Sequence, residues 1–429
     1  MKQIKSFFVS FFKSPVLIVF ALICIFMLPS SINTMSVAFR SAIAVAVGID
    51  KNEDDLIELQ VAINISSATD SLAENSNVIT STGITVGEAF ANLNLMFGRS
   101  VKLGHTRFVM IGKNLSRENV TETLDRLVRT SKLRNTVQLV YCPDKISDMF
   151  NIGIQLKSQT GIKLSDIVCY TQSNSTTSIR SNIDSFYKGY MCPSEISKIN
   201  TVSISDDYTQ GISTTPDTGG DSSGATTGGE AGDGGGESSE GGTSGAEADT
   251  KNQYISNRGE LAIYESGILK TVLNHELSNG VNWLSTDYNP KDLTVKIENS
   301  SRIENGIVTF DILSKKVDIE SFFHRGIPFV SAKIVLSLDI DEIISSEEKH
   351  QINSNVIDET IKSQIGRTIR SQIADALMES KRLKLDIFEL NNIFYKNNSR
   401  DYDNFLKNNS KQELIEKTQI SAEIEVKII

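Results

Sequence analysis

Four histidines, four cysteines and a surplus of carboxylates are the side chains with which this sequence could do chemistry. Gly220-Asp-Ser222-Ser-Gly224 fits the GxSxG pattern of a serine nucleophile. That nucleophile must stand on a tight strand-to-helix turn with a histidine held nearby, whereas here it lies inside a Gly/Ser tract. His275-Glu276 opens like the helix of a zinc protease, but Asn279 stands where the second histidine is required. One missing ligand removes the metal site. Cys24, Cys142, Cys169 and Cys192 make no CxxC or zinc-ligand spacing. An oxidising compartment would permit a disulfide among the last three, and a chain of this length does not need one to fold. His105, in KLGHTRFVMIG, reads as a polar residue at the start of a strand, donating to a carbonyl and helping to fix a turn, in preference to a ligand. No carboxylates recur at a spacing that fixes an acid and a base. The residues therefore assign no catalytic, cofactor-binding or metal-binding position, no cofactor and no small-molecule ligand.

The elements that surround these residues alternate between strand and helix without the regular repeat of a doubly wound sheet, which predicts an α+β fold of several small subdomains. SAIAVAVGID reads as a central strand, and Ile57, Leu59, Val61, Ile63 and Ile65 alternate with Glu58, Gln60, Ala62 and Asn64 as a half-buried one. Thr85 and Glu88 are spaced as a capping box for a helix carried by Val86, Ala89, Phe90, Leu93, Met96 and Phe97, with Gly98 placed to stop it. RFVMIG is then a strand, Val120, Leu124, Leu127 and Val128 mark a second helix, TVQLVY is a strand, and a short helix follows over 144–154. GELAIYESGILKTVL reads as a hairpin around Glu265-Ser-Gly267. Strands are predicted near 293–297, 307–312 and 331–340. Ile357, Ile361, Ile365, Ile369, Ile373 and Leu377 form the apolar ladder of the longest helix, read as core in preference to a partner groove. Ile420, Ala422, Ile424, Val426 and Ile428 alternate as a closing strand.

Composition sets the organisation. Gly211 to Asp249 hold eight carboxylates and no Lys or Arg, so most of the net charge of −10 sits in that tract and the remainder is close to neutral. No basic stripe points to nucleic acid. The tract has almost no large apolar side chain to offset its ordering entropy. Four segments follow: 1–40, a cytoplasmic tip and anchor; 41–200, an N-terminal α+β domain; 201–257, a disordered acidic linker; and 258–429, a C-terminal α+β domain. The anchor rests on Pro15 to Phe39, which is uncharged and, at about 1.5 Å per residue, can cross a hydrocarbon core of about 30 Å. Lys2, Lys5 and Lys13 precede it, so the positive-inside rule keeps that end in the cytoplasm and exports the body. Ser36 and Ala38 weakly resemble a cleavage site, and an uncleaved anchor is the preferred reading.

Several ordered segments together resemble the Ger(x)C family, the C subunits of GerA-type nutrient receptors of bacterial spores. AIAVAVGID resembles the strand that opens the family domain, and GITVGEAFANLNLMFGRSVKLGHTRFVMIGKNLSRENV its helix, glycine-histidine pair and strand. GELAIYESGILKTVLNHELSNGVNWL resembles the family's hairpin before a glycine and tryptophan, and LKLDIFELNNIFYK and EIEVKI its C-terminal end. Family members usually carry a lipobox cysteine followed by tryptophan before the first strand. Here that region reads SSINTMSVAFRS, with neither, and a spanning segment can replace the lipid. The resemblance implies a non-catalytic ectodomain at the inner spore membrane, with a multi-pass A-type subunit and a transporter-like B-type subunit as partners. Without the resemblance, the residues alone also fit an anchored binding module for cell-wall material.

Overall fold

The computed structural model describes residues 41–64, 76–160, 163–174, 179–205, 212–213, 254–256, 259–286, 288, 290–298, 300, 305–345 and 358–429. The fold is mixed α+β, as the alternating periods predict. The expected anchor over 15–39 lies outside the described residues. Among those residues no helix is long and apolar enough to cross a membrane. The chain divides into two compact units, Met1–Val109 with Thr121–Val137, and Met110–Val120 with Gln138–Ile429.

In the first unit, β1 (Ser41–Lys51), β2 (Ile57–Asn64) and β3 (Ser76–Gly83) form an antiparallel sheet, with Ile49 opposite Leu59 and Leu59 opposite Ser81. The short strand β4 (Ser100–Lys102) runs parallel to β1 on its other side. Helix α1 (Val86–Phe97) buries Val86, Ala89 and Leu93, and Gly83 allows the close approach: a Cβ there would meet the Ala89 nitrogen at 2.5 Å. Thr85 caps the helix by accepting from the Glu88 amide at 3.2 Å. The Glu88 carboxylate accepts from the Ile84 amide at 2.9 Å, one residue before the donor that a capping box predicts. Gly98 ends the helix at φ 65°, the left-handed conformation that favours glycine. Gln60, expected on the wet face of β2, is buried, flanked by Gly48 of β1 and Thr80 of β3, and its amide donates to Glu58. β5 (Phe108–Gly112) straddles the boundary between the units, and α2 (Val120–Ser131) buries Val120, Leu124 and Leu127.

The second unit carries β6 (Gln138–Cys142), α3 (Ile146–Thr160), α4 (Leu164–Asn174), α5 (Ile183–Met191) and β7 (Ile196–Thr201), with β6 and β7 parallel. β8 (Ser203–Ser205), β9 (Ile212–Ser213) and β10 (Tyr254–Ser256) build a three-stranded sheet at the ends of the Gly/Ser-rich stretch, inside the 201–257 span expected to be linker. β11 (Leu261–Glu265) pairs with β7 and with β12 (Ile268–Leu273). Ser266 at φ 50° and Gly267 at φ 81° close that hairpin, both in the left-handed region that matches strand twist in a two-residue turn. Helix α6 (His275–Trp283) follows.

A four-stranded sheet then forms in the order β13 (Asp292–Glu298), β14 (Asn305–His324), β15 (Ile327–Ser345) and β16 (Gln419–Ile428). Its chain path passes through α7 (Glu359–Leu383), α8 (Leu390–Asn397), α9 (Ser399–Leu406) and α10 (Lys411–Lys417) before β16 returns parallel to β15. Ile361, Ile365, Ile369 and Ile373 of α7 are buried in one cluster with Val308, Phe310, Ile334 and Leu336 of the sheet. The isoleucine ladder is therefore core; Leu377 is only partly buried, and Ile357 lies outside the described residues. Gly280 of α6 lets α7 approach, since a Cβ there would meet the Gln372 carbonyl oxygen at 2.1 Å. Trp283 fixes the same contact by donating from Nε1 to Gln372 Oε1 at 2.7 Å.

Candidate functional site

His105 is exposed in the turn between β4 and β5. That turn is closed by the backbone instead: the Thr106 amide donates to the Leu103 carbonyl at 3.0 Å, and the Arg107 amide to Val45 at 2.8 Å. The carbonyl-bound imidazole expected at this position gives way to those two amides. His275 Nε2 lies 3.2 Å from the Asn279 side-chain nitrogen, one helical turn on, where a zinc helix would place its second ligand. Among the described residues no group of three His, Cys, Asp or Glu side chains could hold a metal ion. Ser222 lies outside the described residues. Cys142, Cys169 and Cys192 form no disulfide.

The polar residues that the fold does assemble lie in the second unit. α5 ends at Met191, and Cys192-Pro-Ser-Glu195 reverses the chain into β7, with Glu195 in the left-handed region at φ 56°. The reversal is tight, because a Cβ at Gly189 would meet the Ile196 carbonyl oxygen at 2.2 Å. Glu195 then accepts from the Ser266 hydroxyl at 2.5 Å and from Lys411 at 3.0 Å. The Ser266 hydroxyl and then the Lys411 ammonium hold its carboxyl below the usual range. One residue earlier, the Ser194 hydroxyl accepts from the Asn392 amide at 3.0 Å.

The segment between α7 and α8 supplies the other half. Asp386 is 3 % exposed and accepts from the Leu390 amide at 2.6 Å and from the Asn391 amide and side chain at 2.9 and 2.8 Å. Burial raises its pKa against the lowering effect of those bonds. The Tyr402 hydroxyl donates to Asn391 at 3.0 Å, and burial, helped by the Asp386 charge, pushes that phenol up to about 12. Glu389, at φ 57°, faces Lys198 at 2.8 Å. Burial opposes its charge, yet the Lys198 ammonium, joined by Asn392, brings the carboxyl below its ordinary value.

A cleft of about 650 Å³ opens over this cluster, lined by Arg180, Tyr187, Lys198, Glu389, Asn392 and Tyr395 among others. Its far side reaches Asn282 and Ser285 at the end of α6. There the Lys315 ammonium donates to the carbonyls of Asn282, Trp283 and Ser285 at 3.0, 3.4 and 2.6 Å and stands 4.8 Å from the centre of the Tyr288 ring. A cation at a helix C-terminus meets the carbonyls that the helix leaves unsatisfied. Burial brings this amine down to about 7.

Glu195 and Glu389 are each taken up by donors from beyond the Gly/Ser-rich stretch, while Asp386 fixes the turn that carries Glu389 and Asn392, so the cluster acts as a clamp between segments on either side of that stretch. Sequence spacing could not find it, because Ser194 and Asn392 are 198 residues apart. The only local sign is the run Asp386 to Asn391, in which the Asp386 carboxylate accepts from the Leu390 and Asn391 amides.

A family model for the spore germination protein N-terminal domain matches residues 40–198. A second, for the C-terminal domain of spore germination B3/GerAC-like proteins, matches residues 260–429. The chain belongs to the Ger(x)C family of spore germination proteins. Lys198 and Glu389 fall in different family domains, and so do Ser194 and Asn392. Among solved structures, the chain is similar to the crystal structure of the GerBC protein, at 12 % identity and a TM-score of 0.45 over 89 % of this chain and 96 % of that one. No curated protein matched. Membership of the Ger(x)C family makes this a germination protein of germinant-receptor C-subunit type.

Proposed function

We propose that this protein is a non-catalytic C-type subunit that assembles with A-type and B-type membrane subunits into the receptor complex that starts germination when nutrients bind. The observation that carries the reading is the presence of both Ger(x)C domains, in order, on one chain. Its location would be the inner spore membrane, held by Pro15 to Phe39 as a single-pass anchor with the body on the extracytoplasmic side. The clamp supports a non-catalytic role, since its carboxylates are committed to bonds within the protein. The subunit would support assembly or signalling, and the Gly/Ser-rich stretch would act as a linker between its two family domains.

Deletion of the gene in a strain without paralogues, together with co-purification from spore membranes, tests this. The expected result is a slowed or abolished response to a nutrient germinant, with spore formation and lysozyme-triggered outgrowth unchanged and A- and B-type subunits recovered with the protein. An unchanged response to every germinant, with neither subunit recovered, would overturn it.

A further inference from the structure

Three large apolar side chains stand exposed on β1 and on the helix whose chain leads back to it. Leu95 and Met96, at the end of α1, are 79 % and 68 % exposed, and Ile43 on β1 is 47 % exposed. A surface helix ordinarily carries charged side chains on its outer face. α1 carries none from Ala89 to Gly98, and the Glu88 carboxylate before that run is turned back onto the Ile84 amide. The position of this surface is fixed by connectivity. After Gly98, Arg99 leads directly into β4, whose Ser100 and Lys102 lie opposite Ser41 and Ile43 of β1. Chain reach across five residues plus one strand spacing puts Leu95 within about 23 Å of Ser41. Ser41 stands two residues beyond Phe39, the end of the uncharged Pro15 to Phe39 segment.

The charges that follow α1 along the chain have one sign. Between Ala89 and Val109 the chain holds Arg99, Lys102 and Arg107 and no carboxylate. Arg99 and Lys102 are exposed, Lys102 directly opposite Ile43, and the Arg99 guanidinium stands 6.0 Å from the centre of the Phe97 ring. Exposed Leu and Met edged by cations and an aromatic ring is the composition that settles at a bilayer interface, with apolar side chains at the acyl boundary and cations on lipid phosphates.

We infer that the C-terminal end of α1, with Ile43, Arg99 and Lys102, is a lipid-contact surface that seats the first unit on the membrane from which the chain emerges. The inference rests on the anchored reading given under Proposed function. It adds a defined surface to a tether that by itself sets no orientation of the first unit.

The test uses the full chain carrying Leu95→Trp, reconstituted into vesicles of phosphatidylcholine and phosphatidylglycerol with or without brominated acyl chains. Trp283 is 2 % exposed and supplies the reference signal in the unsubstituted protein. The expected result is a blue-shifted indole emission at position 95, quenched by brominated lipid about twofold more than Trp283 and shielded from aqueous iodide. If the protein floats with the vesicles after an alkaline wash but iodide quenches the new indole and brominated lipid does not, the lipid-contact surface is wrong and the anchor stands. Shielding that arises only when A- or B-type subunits are present, without quenching by brominated lipid, assigns the surface to a protein partner and also overturns the inference. Protein that does not float defeats the anchor, and the inference falls with it.

Discussion

Lys198 Nζ lies 2.8 Å from Glu389 Oε1, joining the last residue of the N-terminal family domain to the left-handed residue that starts α8. The side chains are 14 % and 32 % exposed, so the pair is shielded without being sealed. Removing one partner of a shielded pair costs more than the pair contributes, because the remaining charge keeps its desolvation and loses its compensation. Lys198→Met is therefore expected to destabilise the second unit by about 1–3 kcal/mol, discounted from the fully buried case for solvent screening. Lys198→Met with Glu389→Gln recovers most of that loss. Urea denaturation of the four proteins of the cycle measures it.

The same pair sets a pH signature. Glu389 has a folded-state pKa below its ordinary 4.5, so the stability it contributes is present above about pH 4.5 and is lost as pH falls through the lower folded value. In Lys198→Met the uncompensated carboxylate takes up its proton more readily. The stability gap between parent and variant should thus narrow as pH is lowered from 7 toward 4. A gap constant across that range would mean that the loss is one of packing and not of charge.

Lys315 gives a dependence of opposite placement. Its amine is brought down to about 7 from an ordinary 10.5, so between those values the unfolded chain binds the additional proton and stability rises with pH. Lys315→Met should remove that rise, leaving a difference between parent and variant that grows from pH 7 to pH 10. Thermal denaturation at stepped pH reads it. A difference independent of pH would show that the three carbonyls keep the ammonium charged throughout.

Much of the fold was legible because it is written in short-range periods. The ladder of Ile361, Ile365, Ile369 and Ile373, the Ser266-Gly267 turn and the Thr85 cap each depend on residues a few positions apart. β3 escaped because Ser76 to Gly83 is rich in Ser and Thr and carries little alternation, and its place comes from its pairing with β2. β8 and β10 escaped for a related reason, since their pairing joins chain ends separated by a stretch with no apolar signal. The clamp was invisible on other grounds. Glu389 and Lys198 look like ordinary surface charges until the fold brings them together, and no spacing rule links residues that meet across two domains.

Gly280 tests the packing that the sequence did not announce. The α6 backbone approaches α7 so closely that a methyl group would stand 2.1 Å from the Gln372 carbonyl oxygen, which cannot rotate away as a side chain could. Gly280→Ala gains helix propensity but forces the two helices apart, and the overpacking term exceeds the propensity gain of about 1 kcal/mol. A net destabilisation of about 1–3 kcal/mol is expected, with Trp283 fluorescence altered as its bond to Gln372 lengthens. Unchanged stability with unchanged fluorescence would refute the close contact.

The Gly/Ser-rich stretch offers a test in which a deletion should stabilise. Ser213 of β9 lies directly opposite Tyr254 of β10, so the ends of the 214–253 segment are adjacent across an antiparallel pair. A hairpin loop of about five residues spans such a gap. Replacing 214–253 with a five-residue Gly/Ser loop shortens the closure by about three halvings, each worth roughly 0.6 kcal/mol, for a gain of about 2 kcal/mol. It also removes all eight carboxylates of the acidic tract, and with them most of the net charge of −10. The melting temperature should rise by a few degrees. Extending the deletion through Ser256 removes β10, which pairs with both β8 and β9, and should reverse the gain. A lower melting temperature in the first variant would mean that the excised residues contribute contacts of their own.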